Sequence, residues 1–346
     1  KAIRDYVSRS IRLAGPSFTE LPLGELSNAD TTLADGYGHV ADRAILLYAM
    51  LSAAGFEPEF VLGSTVPAID PLRAGEAKFP FLHEFETVLV KVPVEGESYY
   101  CNDTDQYAQL GTTSHDGDLG ISLAKQSLVT IQAVPGAGNR SATNYRLTLD
   151  DTGRARMEIR TEYSGIQYGE KKKLFSELPP GERNRYFQEL VSGVAQGARP
   201  VGDLTTDFDG YPGVVQFTVE VDHYAVIDGK QMYFDLPYTL HPFPAAMDQR
   251  TLPLLIWSAF SNTMHTEIEL PAGFQHVVIA PKNQDLAAPD GAGQAHISTT
   301  LAGREWSVTQ ELSTNPAVVA PGDYAALLAV ESALEDKASR LLLLEH

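Results

Sequence analysis

Apolar positions change their period near residue 140, and the change divides the chain into two kinds of pattern. In the first part, Ile3, Tyr6, Val7 and Ile11 are spaced for one face of a short helix. A stretch rich in Gly, Pro, Ser and Asn, from Gly15 to about Asp35, reads as loop. Residues 40–54 then carry Ala41, Ala44, Ile45, Leu46, Leu47, Tyr48, Met50 and Leu51 with almost no polar face. That pattern predicts a buried helix, and Gly55 is placed to end it. Strands are predicted over 56–62, 85–92 and 98–101, with Glu95-Gly96-Glu97 as the hairpin turn between the last two.

The stretch 133–144 is rich in Gly, Ala, Pro and Asn and reads as a boundary, giving expected domains 1–135 and 140–346. Beyond it Met157, Ile159, Thr161 and Tyr163 alternate with polar residues, the mark of a half-buried strand. Further strands are predicted over 214–226, 231–236, 263–270, 275–279, 295–301 and 305–312. A helix opened by Pro179-Pro180 is predicted over 180–194, and a last helix over 324–341. The expected fold class is α+β, with a helix packed on an antiparallel sheet followed by a β-sandwich-like domain.

Charge and composition narrow the function. Over 346 residues, 26 Lys+Arg stand against 45 Asp+Glu, a formal net charge of −19. That balance excludes nucleic acid as a partner, because such binding neutralises phosphates. No apolar run approaches the ~20 residues that span a bilayer, so direct membrane insertion of this stretch is not expected. Cys101 is the single cysteine, which rules out an intrachain disulfide and a cysteine-rich metal site. No cofactor or metal is expected. The chain begins at Lys1 without a signal region and ends Leu344-Glu345-His346, which reads as a fragment of a longer protein.

Residues 36–62 carry a resemblance. A glycine, an Asp four residues on, an apolar helix, Ala53-Ala54-Gly55-Phe56 and a strand resemble the transglutaminase-like superfamily. Its motif runs Gly-Asp-Cys-Lys-Asp-Lys/Arg-Ala, where this chain has Gly38-His39-Val40-Ala41-Asp42-Arg43-Ala44. The resemblance implies a papain-like core and a Cys–His–Asp triad, the thiolate being stabilised at the start of the helix. Carried over by position, the nucleophile falls on Val40. The family's Phe-Asn-His meets Phe85-Glu86-Thr87, placing Thr87 at the base, and its aromatic-Leu-Asp-Pro-Thr places Asn102 at the orienting acid. Weaker features beyond residue 140 resemble the C-terminal β-rich domain of bacterial exported proteins of this type.

All three triad positions are therefore changed, and the expectation is a non-catalytic protein of the periplasm or cell envelope, without excluding the cytoplasm. It would bind a peptide, glycan or protein partner. The alternative is an active cysteine hydrolase or transglutaminase in which this register is wrong. His39, Asp42, His83, Tyr100 and Asp103 are the candidate cleft-binding residues. Asp42 also suits a capping part in the first helical turn. Cys101, in a strand beside Tyr99 and Tyr100, reads as a buried small hydrophobe.

Overall fold

The computed structural model describes residues 1–238, 241, 243 and 247–346. Among them the chain forms a mixed α/β structure in two compact units, Lys1–Asn139 with Ser164–Lys173, and Arg140–Tyr163 with Leu174–His346.

The helices are α1 (Ala2–Ser10), α2 (Ala29–Asp35), α3 (Val40–Ala53), α4 (Asp70–Lys78), α5 (Ile166–Glu177), α6 (Pro180–Val194) and α7 (Tyr324–Glu335). In the first unit the strands are β1 (Arg12–Leu13), β2 (Tyr37–Gly38), β3 (Glu59–Gly63), β4 (Thr87–Val94), β5 (Glu97–Cys101), β6 (Leu119–Ser122) and β7 (Ser127–Thr130). The last five form one sheet in the order β5-β4-β3-β6-β7, every pairing antiparallel. Strand alternation sorts the two faces of β4 and β5. Val88, Val90, Val92 and Cys101 share a buried cluster with Ala44, Leu46, Leu47 and Leu51 of α3. Leu89 and Tyr100 join Val61 and Ile131 in a separate cluster. The β4–β5 turn has Glu95 at φ 52° and Gly96 at φ 89°, the two left-handed residues that a tight hairpin matched to strand twist requires.

The second unit contains β8 (Arg140–Leu149), β9 (Ala155–Ser164), β10 (Arg199–Pro200), β11 (Thr205–Asp207), β12 (Gly213–Val221), β13 (Val226–Asp228) and β14 (Gln231–Asp235). After these come β15 (Leu254–Ile256), β16 (Phe260–Glu269), β17 (His276–Ile279), β18 (Gln284–Ala287), β19 (Gly293–Ala302), β20 (Glu305–Thr314), β21 (Ala317–Val319) and β22 (Leu341–Glu345). A nine-stranded sheet runs β10-β12-β9-β8-β16-β20-β19-β18, with β11 beside β12, and β8 and β16 pair in parallel. A second sheet runs β13-β14-β22-β17, and β15 pairs β21. Inward residues of both larger sheets enter one apolar cluster with Phe187 and Val191 of α6 and Leu327 and Val330 of α7.

Several expectations need correction. The last helix stops at Glu335, because Asp336 caps a short 3-10 turn, and residues 341–345 become the strand β22 between β14 and β17. Leu342 and Leu344 are fully buried there, so the alternation in Leu341–Glu345 is a strand's period and not a helix's. The strand expected over 214–226 breaks after Val221, where His223 turns the chain at φ 56°. Within the expected loop 15–35, Asn28 accepts the Thr31 amide at 2.9 Å and opens α2. Helix α4, with Pro71 in its first turn, and strands β6 and β7 were not anticipated.

Candidate functional site

Local sequence builds the start of α3. His39 is its N-cap, and Nδ1 accepts the Ala41 amide at 3.1 Å. Asp42 answers three residues on, Oδ2 accepting the His39 amide at 3.2 Å, which completes a capping box. Asp42 Oδ1 also accepts the Ser27 amide at 2.8 Å and lies 3.2 Å from His39 Nε2. Both side chains are buried, and His39 Nε2 has no hydrogen-bond partner among the described residues. Gly38 is needed by close approach, since a Cβ there would stand 2.8 Å from Asp42 Cβ.

Val40 is the first residue of α3, and Asn102 converges on it. Asn102 follows β5 with φ 93°, which carries its side chain back toward the helix. Its Nδ2 donates to the Val40 carbonyl at 3.0 Å and to the Val88 carbonyl at 2.7 Å. Its Oδ1 accepts from Arg43 Nε at 2.7 Å, and its backbone carbonyl accepts from Arg43 Nη2 at 2.7 Å. One amide thus ties the first turn of α3 to β4, with both protons and the oxygen in use. Burial lowers the pKa of Arg43, opposed by the charges of Asp103 and Asp105.

Thr87 begins β4 and pairs with Gly63. A Cβ at Gly63 would meet Leu89 and the His115 ring, so His115 lies on the face that cross-strand neighbours share there. Its Nδ1 lies 3.0 Å from the Ser64 carbonyl and 3.2 Å from Asp118 Oδ2. Burial opposes the charged ring, but the Asp118 hydrogen bond and the charges of Asp103 and Asp118 outweigh it and raise the His115 pKa. Nearby, the buried Ser64 hydroxyl donates to Glu76 Oε1 in a short hydrogen bond, and burial raises the Glu76 pKa. Sequence reading missed Arg43, Ser64, Glu76 and His115 as members of this region. Arg43 alone had a signal, as the basic residue of the motif.

The remaining candidates separate. Asp103 Oδ2 accepts from Thr113 Oγ1 at 2.6 Å and the Ser114 amide at 2.8 Å, while its buried Oδ1 has no hydrogen-bond partner among the described residues. Asp103 lines a hollow of about 260 Å³ with Asp105, Ser114, Glu170 and Lys173. Tyr100 is buried beneath another of about 300 Å³, and burial with the charge of Glu59 raises its pKa. His83 is exposed on a 3-10 turn, its ring 5.3 Å from that of Phe81.

Cys101 is buried against α3, and its thiol is pushed up to about 11, chiefly by burial. Among the described residues no histidine hydrogen-bonds to it. Nor do three potential metal ligands come within ligand spacing of one another around the start of α3.

Residues 230–344 match the family model of a domain of unknown function with a solved structure, DUF3858. The match takes in β14 through most of β22. The chain is also similar to the solved structure of a protein described as a putative protease from Parabacteroides distasonis ATCC 8503, at 15% identity and a TM-score of 0.49. That alignment covers 99% of this chain and 51% of the other, so the chain spans about half that protein's length. No curated protein matches.

Proposed function

We propose that the chain is a non-catalytic, transglutaminase-like binding protein of the bacterial cell envelope, with a papain-like first domain and a β-sandwich-like second. The observation that carries this reading is the hydrogen bonding of Asn102. Its amide is consumed by the backbone of Val40 and Val88 and by Arg43, where a triad would need a thiol, an imidazole and a free carboxylate. Val40 offers no nucleophile, and Cys101 is sealed in the core at the opposite extreme of reactivity. The hollow beside Asp103, edged by the charged side chains of Asp105, Glu170 and Lys173 over a largely apolar lining, is one surface of the first unit that a peptide or glycan could occupy.

Iodoacetamide labelling of the native chain, combined with assays of amide hydrolysis and amine transfer, tests the proposal. Raising a thiol pKa from 9.0 to about 11 lowers its thiolate fraction about 100-fold at neutral pH, so native Cys101 should label far more slowly than in denaturant. Rapid native labelling that disappears in Cys101→Ala together with an amidase or transferase activity would establish the active-enzyme alternative. A second binding surface is favoured by a hollow of about 660 Å³ in the other unit, lined by Arg140, Asp285, His296 and Glu311 among others. Hydrogen-exchange protection by a captured peptide, glycan or protein partner distinguishes the two surfaces.

A further inference from the structure

Helix α7 buries Tyr324, Leu327, Val330 and Leu334 on its core side, and Glu331 lies among them at 7% exposure. A carboxylate in that position needs compensation, because desolvation penalises its charged form. The partners present supply only part of it. The Phe243 backbone hydrogen-bonds to the Glu331 carboxylate and Oε1 lies 3.5 Å from His241 Nδ1, while Oε2, also buried, has no hydrogen-bond partner among the described residues. One turn further along α7, Glu335 Oε1 lies 2.8 Å from the same imidazole nitrogen. One ligand atom from each of the three side chains falls within 4.8 Å of the others.

We propose that His241, Glu331 and Glu335 bind a divalent transition-metal ion of the zinc class. Ligand atoms sharing a tetrahedral Zn²⁺ at ~2.1 Å stand roughly 3.3 Å apart, and the separations of 3.5 Å and 2.8 Å lie on either side of that. Two carboxylates balance the ion's charge. The imidazole favours Zn²⁺ and its neighbours over Ca²⁺ and Mg²⁺, which take all-oxygen sets. The i, i+4 spacing of Glu331 and Glu335 puts both carboxylates on one face of α7. His241 and Glu335 have side chains 60% and 48% exposed, so an ion can enter from solvent and keep water in its remaining positions. The buried, unpartnered Glu331 oxygen sets the cluster apart from an exposed ion pair. All three residues lie within the DUF3858 match, and the site is independent of the function proposed above. It departs from the expectation that the chain holds no metal.

Equilibrium dialysis of the whole chain against Zn²⁺, with Ca²⁺ and Mg²⁺ in parallel, tests the site in wild type, His241→Ala and Glu335→Gln. Both substitutions are at exposed side chains, so folding, checked by circular dichroism, should survive them. Retention of Zn²⁺ by wild type is expected, with affinity falling by at least about 10–100-fold in each variant, the loss that even outer-shell changes produce. Zn²⁺ should also raise the wild-type melting temperature and leave that of His241→Ala unmoved. Zn²⁺ affinity unchanged in both variants, no Zn²⁺ retained by wild type, or equal retention of Ca²⁺ would each overturn the proposal.

Discussion

Two helix ends bury ionisable or strongly polar side chains, and they differ in how far those side chains are satisfied. Among the described residues, only His39 Nε2 lacks a hydrogen-bond partner in the four buried polar side chains at α3, whereas at α7 a carboxylate oxygen does. At the start of α3, His39, Asp42, Arg43 and Asn102 are buried, and their hydrogen bonds go to the helix end, to strand carbonyls and to each other. Near the end of α7, Glu331 is equally buried, yet one of its oxygens is left over. A polar group wholly satisfied by its own chain fixes local geometry, because removing it strands its partners. A buried oxygen with unused capacity points to something outside the chain. The start of α3 is thus held chiefly by its own chain, while the end of α7 keeps an unused carboxylate oxygen.

The sharpest way to break this contrast is Asn102→Ala. It removes three side-chain hydrogen bonds and strands two strand or helix carbonyls and the buried Arg43 guanidinium, so a loss of about 3–4 kcal/mol is expected in urea unfolding. A loss below about 1 kcal/mol would show that the start of α3 does not depend on this hub. Asp42→Ala should cost less, about 1–2 kcal/mol, because the two amides it accepts from, His39 and Ser27, lose their cap.

Glu331→Gln probes the other end through pH. Burial raises the folded Glu331 pKa, so its contribution is present below the unfolded value and is lost as pH rises through the folded one. Without metal, Glu331→Gln should accordingly gain on wild type above about pH 5, by less than about 1 kcal/mol once solvent screening is counted. Saturating Zn²⁺ should reverse the sign. The smallest effect is expected at His115, whose raised folded pKa gives stability that is present below the ordinary imidazole value of about 6.5 and lost as pH rises through the raised folded one. His115→Asn should flatten the fall in stability between about pH 6 and 8, by a few tenths of a kcal/mol. Thermal or urea unfolding across that range measures both.

Much of the fold was legible where the pattern is local. The apolar run of α3, the hairpin at Glu95-Gly96 and the period-two strands after residue 140 all appear close to where the sequence puts them. Helix α2 was hidden because a seven-residue helix carries too few turns to show a period, and its Asn28 cap looks like any loop asparagine. Strand β22 was hidden because four leucines in a row suit either period. At the site, Asp42 was legible as a capping residue, since its partner lies three positions away.

Sequence alone determined the interactions closed within one turn: which stretch becomes the buried helix, and the capping part of Asp42 in its first turn. Only the tertiary structure decided what Asn102 does instead, for its partners lie 14, 59 and 62 residues away. It likewise placed His115 on the face of Thr87 and brought His241 to Glu331 and Glu335. The reason is physical. Periodicity records which side of an element is buried, while hydrogen bonds and charges are satisfied by whatever the packing brings alongside.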